Sequence, residues 1–482
     1  MRLSYLANAI GLILIYISLV ILSPVIIALI YRDWMSVAPF LSTSLISLTA
    51  GYFLRKGSAV NLNDIKKSEG LFIVAASWVV FSLIAAIPYL HYGISPLNAV
   101  FEAVSGITTT GATILTSFDY PKAFFFWRAL TQWIGGLGII VLFTAILPQF
   151  AVAGRQMFFA EAPGPTEDKI TPRIKNTASA LWKIYFALTV FEIILLALAG
   201  MPAFDAVCNS LSTLSAGGFS TNPQSIMGYN SGVINWIMIV FMFLGGTSFI
   251  LQYQVITRKN PTLVFKSEEF RSYLGFVVLM SIIIAAALVL HNGYSLSSGI
   301  TAAFYQVVSI ITSTGSASVD YAQWHFTAKI LLFAVMFSGA CSMSTGGGIK
   351  LTRWLIVFKT MRNELKRILH PNAVLNIKVD DKTISQDVIG QTIMFVCFYF
   401  FIAAVSAVLI GLIEHNAAVA LTGSVSAIGN IGPALGEHIG PMGTFFHLQP
   451  LTKIIMVINM LVGRLELIPF LVLFQKDFWH IS

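Results

Sequence analysis

The sequence predicts an all-α integral membrane protein of about ten spans. Four parallel helix–re-entrant loop–helix repeats surround a pseudo-fourfold axis, preceded by two extra transmembrane helices. Three observations predict this. Of the 482 residues, 56% are hydrophobic and only 10% charged, against about 25% charged in a soluble domain. Apolar runs such as 3–31 and 71–90 reach the roughly 20 residues that a membrane helix requires. Lipid leaves helices or closed barrels as spanning structures, and continuous apolar runs select helices. Finally, one arrangement recurs four times: long apolar run, short segment, Gly/Thr/Ser stretch, long apolar run. Such self-similarity marks a repeat architecture.

The first run is longer than a signal-peptide core and lacks a small-residue cleavage site, so it is read as a retained span. Residues 1–66 then hold the two N-terminal transmembrane helices, roughly 3–31 and 36–54. The pore repeats occupy 67–155, 170–260, 268–370 and 383–482. Basic residues gather between them: Arg55, Lys56, Lys66 and Lys67; Arg155, Lys169, Arg173 and Lys175; Arg258, Lys259, Lys266 and Arg271; and 353–367 with Lys378 and Lys382. The intervening loops hold few, among them Lys122, Arg128 and Lys453. The positive-inside rule puts the basic loops and both termini in the cytoplasm. That bias accounts for the net charge of +8 without nucleic acid as a partner.

Cys208, Cys341 and Cys397 lie in or beside apolar segments without a CxxC pair and read as buried small hydrophobes. The eight histidines show no HExxH spacing. No acids, histidines or nucleophiles cluster at one depth, so the chain is expected not to be an enzyme.

The four polar stretches read "SGITTTGAT", "STLSAGGFS", "SIITSTGSA" and "SAIGNIGPA". Aligning Gly111, Gly217, Gly315 and Gly432 gives spacings of 106, 98 and 117 residues. Each stretch follows a segment of about a dozen residues, such as 97–107 or 298–310, too short to cross a bilayer and read as a re-entrant helix. Non-helical backbone at membrane depth must line protein or a water-filled cavity. Glycine's access to φ > 0 lets successive carbonyls converge on one axis, as carbonyl rings do in potassium filters. Re-entrant helices would aim their negative C-terminal ends at the same cavity.

With these stretches, the chain resembles Trk-type potassium uptake subunits, in the TrkH branch of the Trk/Ktr/HKT superfamily, over essentially its whole length. The resemblance implies M1–pore-loop–M2 repeats around a pseudo-fourfold pore. It implies potassium uptake across the bacterial cytoplasmic (inner) membrane through a gated, channel-like pore. Potassium would bind, as substrate and only at the filter, at Thr109, Thr110, Gly111, Ser215, Ala216, Gly217, Ser313, Thr314, Gly315, Asn430, Ile431 and Gly432. In the family, a filter glycine in every repeat goes with potassium preference and serine in the first repeat with sodium; Gly111 fits potassium. The residues before the aligned glycines, Thr110, Ala216, Thr314 and Ile431, make no fourfold-identical ring. The resemblance also implies a homodimer in membrane lipid, a cytoplasmic nucleotide-binding regulatory ring (TrkA-like), and no cofactor bound by this chain.

Two features lie in the second helices of repeats three and four. "SGACSMSTGGGIK", 338–350, interrupts a long span, and three consecutive glycines cost roughly 1 kcal/mol each in a helix interior. It is read either as an intramembrane loop or as a turn that ends the helix. A phosphate loop is excluded because Gly-Ile-Lys is not Gly-Lys-Ser/Thr. Arg464 lies deep in the last apolar span, where arginine costs at least ~2.5 kcal/mol and faces water or a partner. It is read as a pore-facing charge, a structural ion pair or a snorkelled side chain. Glu466, two residues on, faces elsewhere on a helix. The resemblance makes Gly346, Gly347, Gly348, Lys350 and Arg464 a gate beneath the filter. Glu102, in the first re-entrant helix, either adds negative field or braces that helix. The alternative function is an ion-coupled (sodium or proton) secondary transporter, which inverted repeats would favour.

Overall fold

The computed structural model describes residues 2–56, 67–146, 174–373, 375–380 and 382–467. Lys66, Arg155, Lys169 and Arg173 lie outside the described residues, as does the chain beyond 467, and with it the C-terminal side of the orientation argument.

The first span is α1 (Leu3–Ile21) and α2 (Ser23–Ile30), separated where Pro24 enters the first turn of α2. It packs on α3 (Val37–Lys56). Gly11 and Gly51 sit face to face: a Cβ on Gly51 would lie 2.6 Å from the Gly11 carbonyl oxygen. Ser44 and Ser47 hydroxyls donate to the carbonyls of Ser18 and Leu14. Small residues and hydroxyl bonds are what join helices where lipid offers no hydrophobic drive.

Repeat one is α4 (Lys67–His91), the short α5 (Pro96–Ile107) and α6 (Lys122–Ile146). Repeat two is α7 (Ile174–Leu198), α8 (Ala203–Leu214), α9 (Gly232–Gly246) and α10 (Phe249–Arg258). Repeat three is α11 (Glu268–Asn292), α12 (Leu296–Ile311), α13 (Phe326–Val335) and α14 (Leu351–Leu369). Repeat four is α15 (Gln386–Glu414), α16 (Ala417–Gly429) and α17 (Pro450–Arg464). A two-stranded hairpin, β1 (Lys378–Val379) and β2 (Lys382–Thr383), joins the last two repeats. Among the described residues, six helical segments are each long and apolar enough to cross a membrane, or seven with the bent α9–α10 pair. The α6 helix, the α13–α14 unit and α17 complete the ten.

Of the short helices α5, α8, α12 and α16, the first, third and fourth start where the sequence supplies start signals. Pro96 occupies the first turn of α5, the Ser295 hydroxyl accepts from the Ser298 amide, and the Asn416 side chain accepts from the Ala418 and Val419 amides. The polypeptide core surrounds these helices, while residues such as Leu198, Ile282, Phe401 and Leu412 are exposed on the outer helices. In a membrane that exposed surface faces acyl chains.

The second helix of every repeat departs from a straight span. Repeat three breaks between Val335 and Leu351, where a non-helical loop joins α13 to α14. The α9–α10 pair bends by 96° at Thr247–Ser248, α6 leaves helical geometry at Gly138 (φ 75°, ψ 159°), and α17 ends at Arg464. Of these breaks, only that of repeat three, with its three consecutive glycines, is legible from glycine content alone.

Candidate functional site

The four Gly/Thr/Ser stretches leave their short helices in the same way. The amides of Thr110, Gly217, Thr314 and Ile431 donate to the carbonyls of Ser105, Ser212, Ser309 and Ser426 at 2.8–2.9 Å. Two residues per stretch then take φ > 0: Thr109 and Gly111, Ala216 and Gly218, Ser313 and Gly315, Asn430 and Gly432. A Cβ on Gly111 would lie 2.1 Å from the Gly217 carbonyl oxygen. On Gly218 it would meet the Thr314 oxygen at 1.9 Å, on Gly315 the Ile431 oxygen at 2.0 Å, and on Gly432 the Thr110 oxygen at 2.2 Å. The contacts run one to two, two to three, three to four and four back to one, so the stretches form a closed ring. No side chain fits at these glycines, and the left-handed backbone suits only glycine there without strain.

This ring corrects the alignment of repeat two. Gly218, not Gly217, is the partner of Gly111, Gly315 and Gly432, and Gly217 occupies the place of Thr110. Ser215, expected in the filter, matches Thr108 and donates to the Ser212 carbonyl. Gly217 is glycine for another reason: its Cβ would fall 2.4 Å from Cδ of Gln132. Gln132 Nε2 donates to the Gly217 carbonyl at 2.7 Å and its Oε1 accepts from the Phe219 amide at 3.0 Å. The missed signal is the serine six residues before each ring glycine, at 105, 212, 309 and 426.

Glu102 is a brace. Its fully buried carboxylate pairs with Arg128 at 2.7 Å and accepts from the Thr113 hydroxyl and the Ile114 amide. Arg128, taken from the sequence as a loop charge, is 2% exposed within α6. It also reaches Thr113 and the Ser220 carbonyl of the neighbouring repeat. Lys453 is likewise buried in α17, donating to Asn98 and the Phe446 carbonyl. Asn430 links Thr110 to the Met460 carbonyl across repeats one and four. Cys397 is exposed, unlike Cys208 and Cys341, so it is not a core residue. A cavity of about 490 Å³ opens on the ring, lined by Gly111, Gly218 and Gly315 with Asp119, Ser220 and His447.

The 338–350 loop packs against the C-terminal ends of the short helices. The Thr345 hydroxyl donates to the Leu214 carbonyl at 2.9 Å. The Gly347 amide donates to the Ser313 hydroxyl at 2.6 Å. A Cβ on Gly346 or Gly347 would fall 2.7 or 2.5 Å from the carbonyl oxygens of Thr312 and Gly429, so neither position admits one. Lys350 is buried and donates to the Gly346 carbonyl and, at 3.4 Å, to Ser344. Arg464 crosses from α17 to Thr345 in the loop (2.9 Å) and to the carbonyls of Gly135 and Gly136 in α6. Those two carbonyls lie just before the break at Gly138. Glu466 pairs instead with Arg353 at 2.5 Å. Close packing of α6 and α17 on their own short helices also requires glycine: a Cβ at Gly135 or Gly463 would overlap the Ile107 or Ile428 carbonyl.

The family model of the TrkH cation transport proteins matches residues 40–481. The chain belongs to the TrkH family. It is 38% identical to the Trk system potassium uptake protein TrkH of Salmonella typhimurium, over 98% of both chains. It is 36% identical to the protein of that name from Halomonas elongata, over the full length of each. The crystal structure of the potassium transporter TrkH from Vibrio parahaemolyticus superposes with a TM-score of 0.90 at 33% identity, covering 99% of this chain and all of that one. Membership in the TrkH family accounts for a full-length match that includes the two helices ahead of the first repeat. It also fixes the class: a multi-pass membrane protein of four parallel repeats, in a family named for cation transport.

Proposed function

We propose that this chain carries potassium across the bacterial cytoplasmic membrane through a gated, channel-like pore. The observation that supports this most is the closed ring in which each repeat's glycine meets the next repeat's carbonyl. Carbonyl oxygens of Thr110, Gly217, Thr314 and Ile431 would replace part of the ion's hydration shell. The negative ends of α5, α8, α12 and α16 favour a cation there, and relatives at 36–38% identity bear the name of potassium uptake proteins. Potassium is then the substrate, and the chain itself holds no cofactor. Parallel repeats favour a conduit over a coupled carrier, whose mark is inverted repeats. Purified protein in liposomes should pass rubidium down its own gradient without an imposed sodium or proton gradient. Flux that appears only with such a gradient would select the coupled transporter.

Gly111→Ser tests the ring. The added Cβ would press on the Gly217 carbonyl, so preference for potassium over sodium is expected to fall, read as a shift in reversal potential in mixed salts. An unchanged preference would remove Gly111 from the filter.

The loop is read as the gate, with Gly346–Gly348 as its flexible part and Lys350 and Arg464 as the cations that hold it. Removing Gly346–Gly348 is expected to raise rubidium flux per folded molecule and leave the reversal potential unchanged. A deleted protein that folds and leaks no faster would end the gate reading.

Both termini are assigned to the cytoplasm, with the basic loops, and the protein is assigned a homodimeric state. A TrkA-like nucleotide-binding ring would dock on that basic face. The support on this chain is the charge of the α14 and hairpin region, which carries Lys359, Arg362, Lys366, Arg367, Lys378 and Lys382.

A further inference from the structure

The first turn of α11 carries two adjacent acids whose partners lie in opposite directions. Ser267 caps the helix, its hydroxyl accepting from the Phe270 amide. Glu268 pairs with Lys359 of α14 at 2.6 Å, and the same lysine donates to the Lys378 carbonyl in the hairpin. The Glu268 amide donates to Asp380 Oδ1 at 2.5 Å, with the Ser267 hydroxyl on Oδ2 at 3.4 Å. Asp380, in the turn of the hairpin, therefore caps α11. Glu269 faces the loop. Its Oε1 accepts from the Ser342 amide at 2.5 Å and from the Thr352 hydroxyl. Ser342 in turn donates to Thr352 at 3.0 Å.

This part of the loop is otherwise tied to the bend in repeat two. The Cys341 amide donates to the Gly246 carbonyl and the Met343 carbonyl accepts from the Phe249 amide. A cavity of about 370 Å³ lies between loop and hairpin, lined by Ser342 and Met343 on one side and Lys266, Ser267 and Asp380 on the other. Across this cavity the first turn of α11 bridges loop and hairpin, beside α14, whose Ile356 packs on Ile377 and Val379 of the hairpin region.

We propose that Glu269 is a positioning residue for the gate, coupling the hairpin and α14 to the loop through the first turn of α11. Movement of Asp380 or Lys359 shifts the helix start, and Glu269 carries that shift to the Ser342 amide and to Thr352, where α14 begins. This rests on the gate reading of the loop. It adds a route by which an event on the basic face reaches the pore without touching the filter.

The test measures rubidium flux per folded molecule, and reversal potential, in liposomes for Glu269→Ala, Glu269→Gln, Asp380→Ala, Glu269→Ala with Asp380→Ala, Thr352→Val and the Gly346–Gly348 deletion. Loss of the two hydrogen bonds to this carboxylate supports a rise of about tenfold or more for Glu269→Ala. Glu269→Gln, which keeps an acceptor oxygen, should fall between it and the wild type, and reversal potentials should not move. Asp380→Ala alone should change flux, and should add nothing once Glu269 is alanine. A merely structural role would give independent, additive effects, because uncoupled sites add. Unchanged flux in the single variants, or additivity, beside a leaky deletion overturns the coupling and leaves the gate standing. A deletion that folds without leaking overturns both. Should Glu269→Ala fail to fold, Thr352→Val replaces it in the cycle with Asp380→Ala and is read by the same criteria.

Discussion

Arg464→Ala is expected to raise potassium flux per folded molecule by about tenfold or more, with potassium preference intact. Two unit charges ~4 Å apart interact by about 4 kcal/mol at an effective dielectric of 20, and ~1.4 kcal/mol of barrier is already tenfold in rate. The geometry adds a mechanical term. The guanidinium joins the loop at Thr345 to α6 at Gly135 and Gly136, so alanine removes both the charge and the ties between loop and helix. Arg464→Lys keeps the charge but is a point donor that cannot reproduce the fork spanning three carbonyls. Its flux should lie between those of the wild type and alanine. Tracer flux normalised to folded protein, with thermal unfolding alongside, is the measurement. A fall in flux per folded molecule would assign Arg464 to bundle stability and end its gating role.

Arg128→Met should be the most destabilising single change near the ring. It leaves Glu102, 0% exposed, as an uncompensated buried charge, and removing one member of such a pair costs about 3–5 kcal/mol. Thermal unfolding of the detergent-solubilised protein should show a large drop. Adding Glu102→Leu removes the stranded charge and should recover much of that loss, because an apolar pair of similar volume is often as stable. Discrimination between potassium and sodium should not recover with it. The Ile114 amide and Thr113 hydroxyl, just past Gly111, lose the carboxylate that holds them, and the first strand of the ring is then free to shift. If the double variant regains both stability and selectivity, the brace serves folding alone.

Much of this architecture is legible in the residues because its causes are local. Span length follows from hydropathy, the short helices from segments too brief to cross a bilayer, and the repeats from recurrence along the chain. The deep arginine and the triple glycine stand out because each is costly where it lies, and the structure gives both specific partners.

What only the tertiary structure decided depends on neighbours distant in sequence. "AGGFS" offers two adjacent glycines with equal conformational freedom, and nothing within the stretch ranks them. Gly218 belongs to the ring because a Cβ there would overlap the Thr314 carbonyl, while Gly217 makes room for Gln132 from another repeat. Arg128 and Lys453 sit near helix starts and read as loop charges until Glu102, Asn98 and the Phe446 carbonyl close around them. The 96° bend after Gly246 has no marker as strong as three glycines, since the Gly246 carbonyl and the Phe249 amide are taken up by Cys341 and Met343 of the next repeat. The sequence alone determined the spans and the short helices between them, because burial in lipid and backbone satisfaction act within a segment. Register, bracing and the choice between equivalent glycines were left to contacts between repeats, where excluded volume and paired charge admit one arrangement.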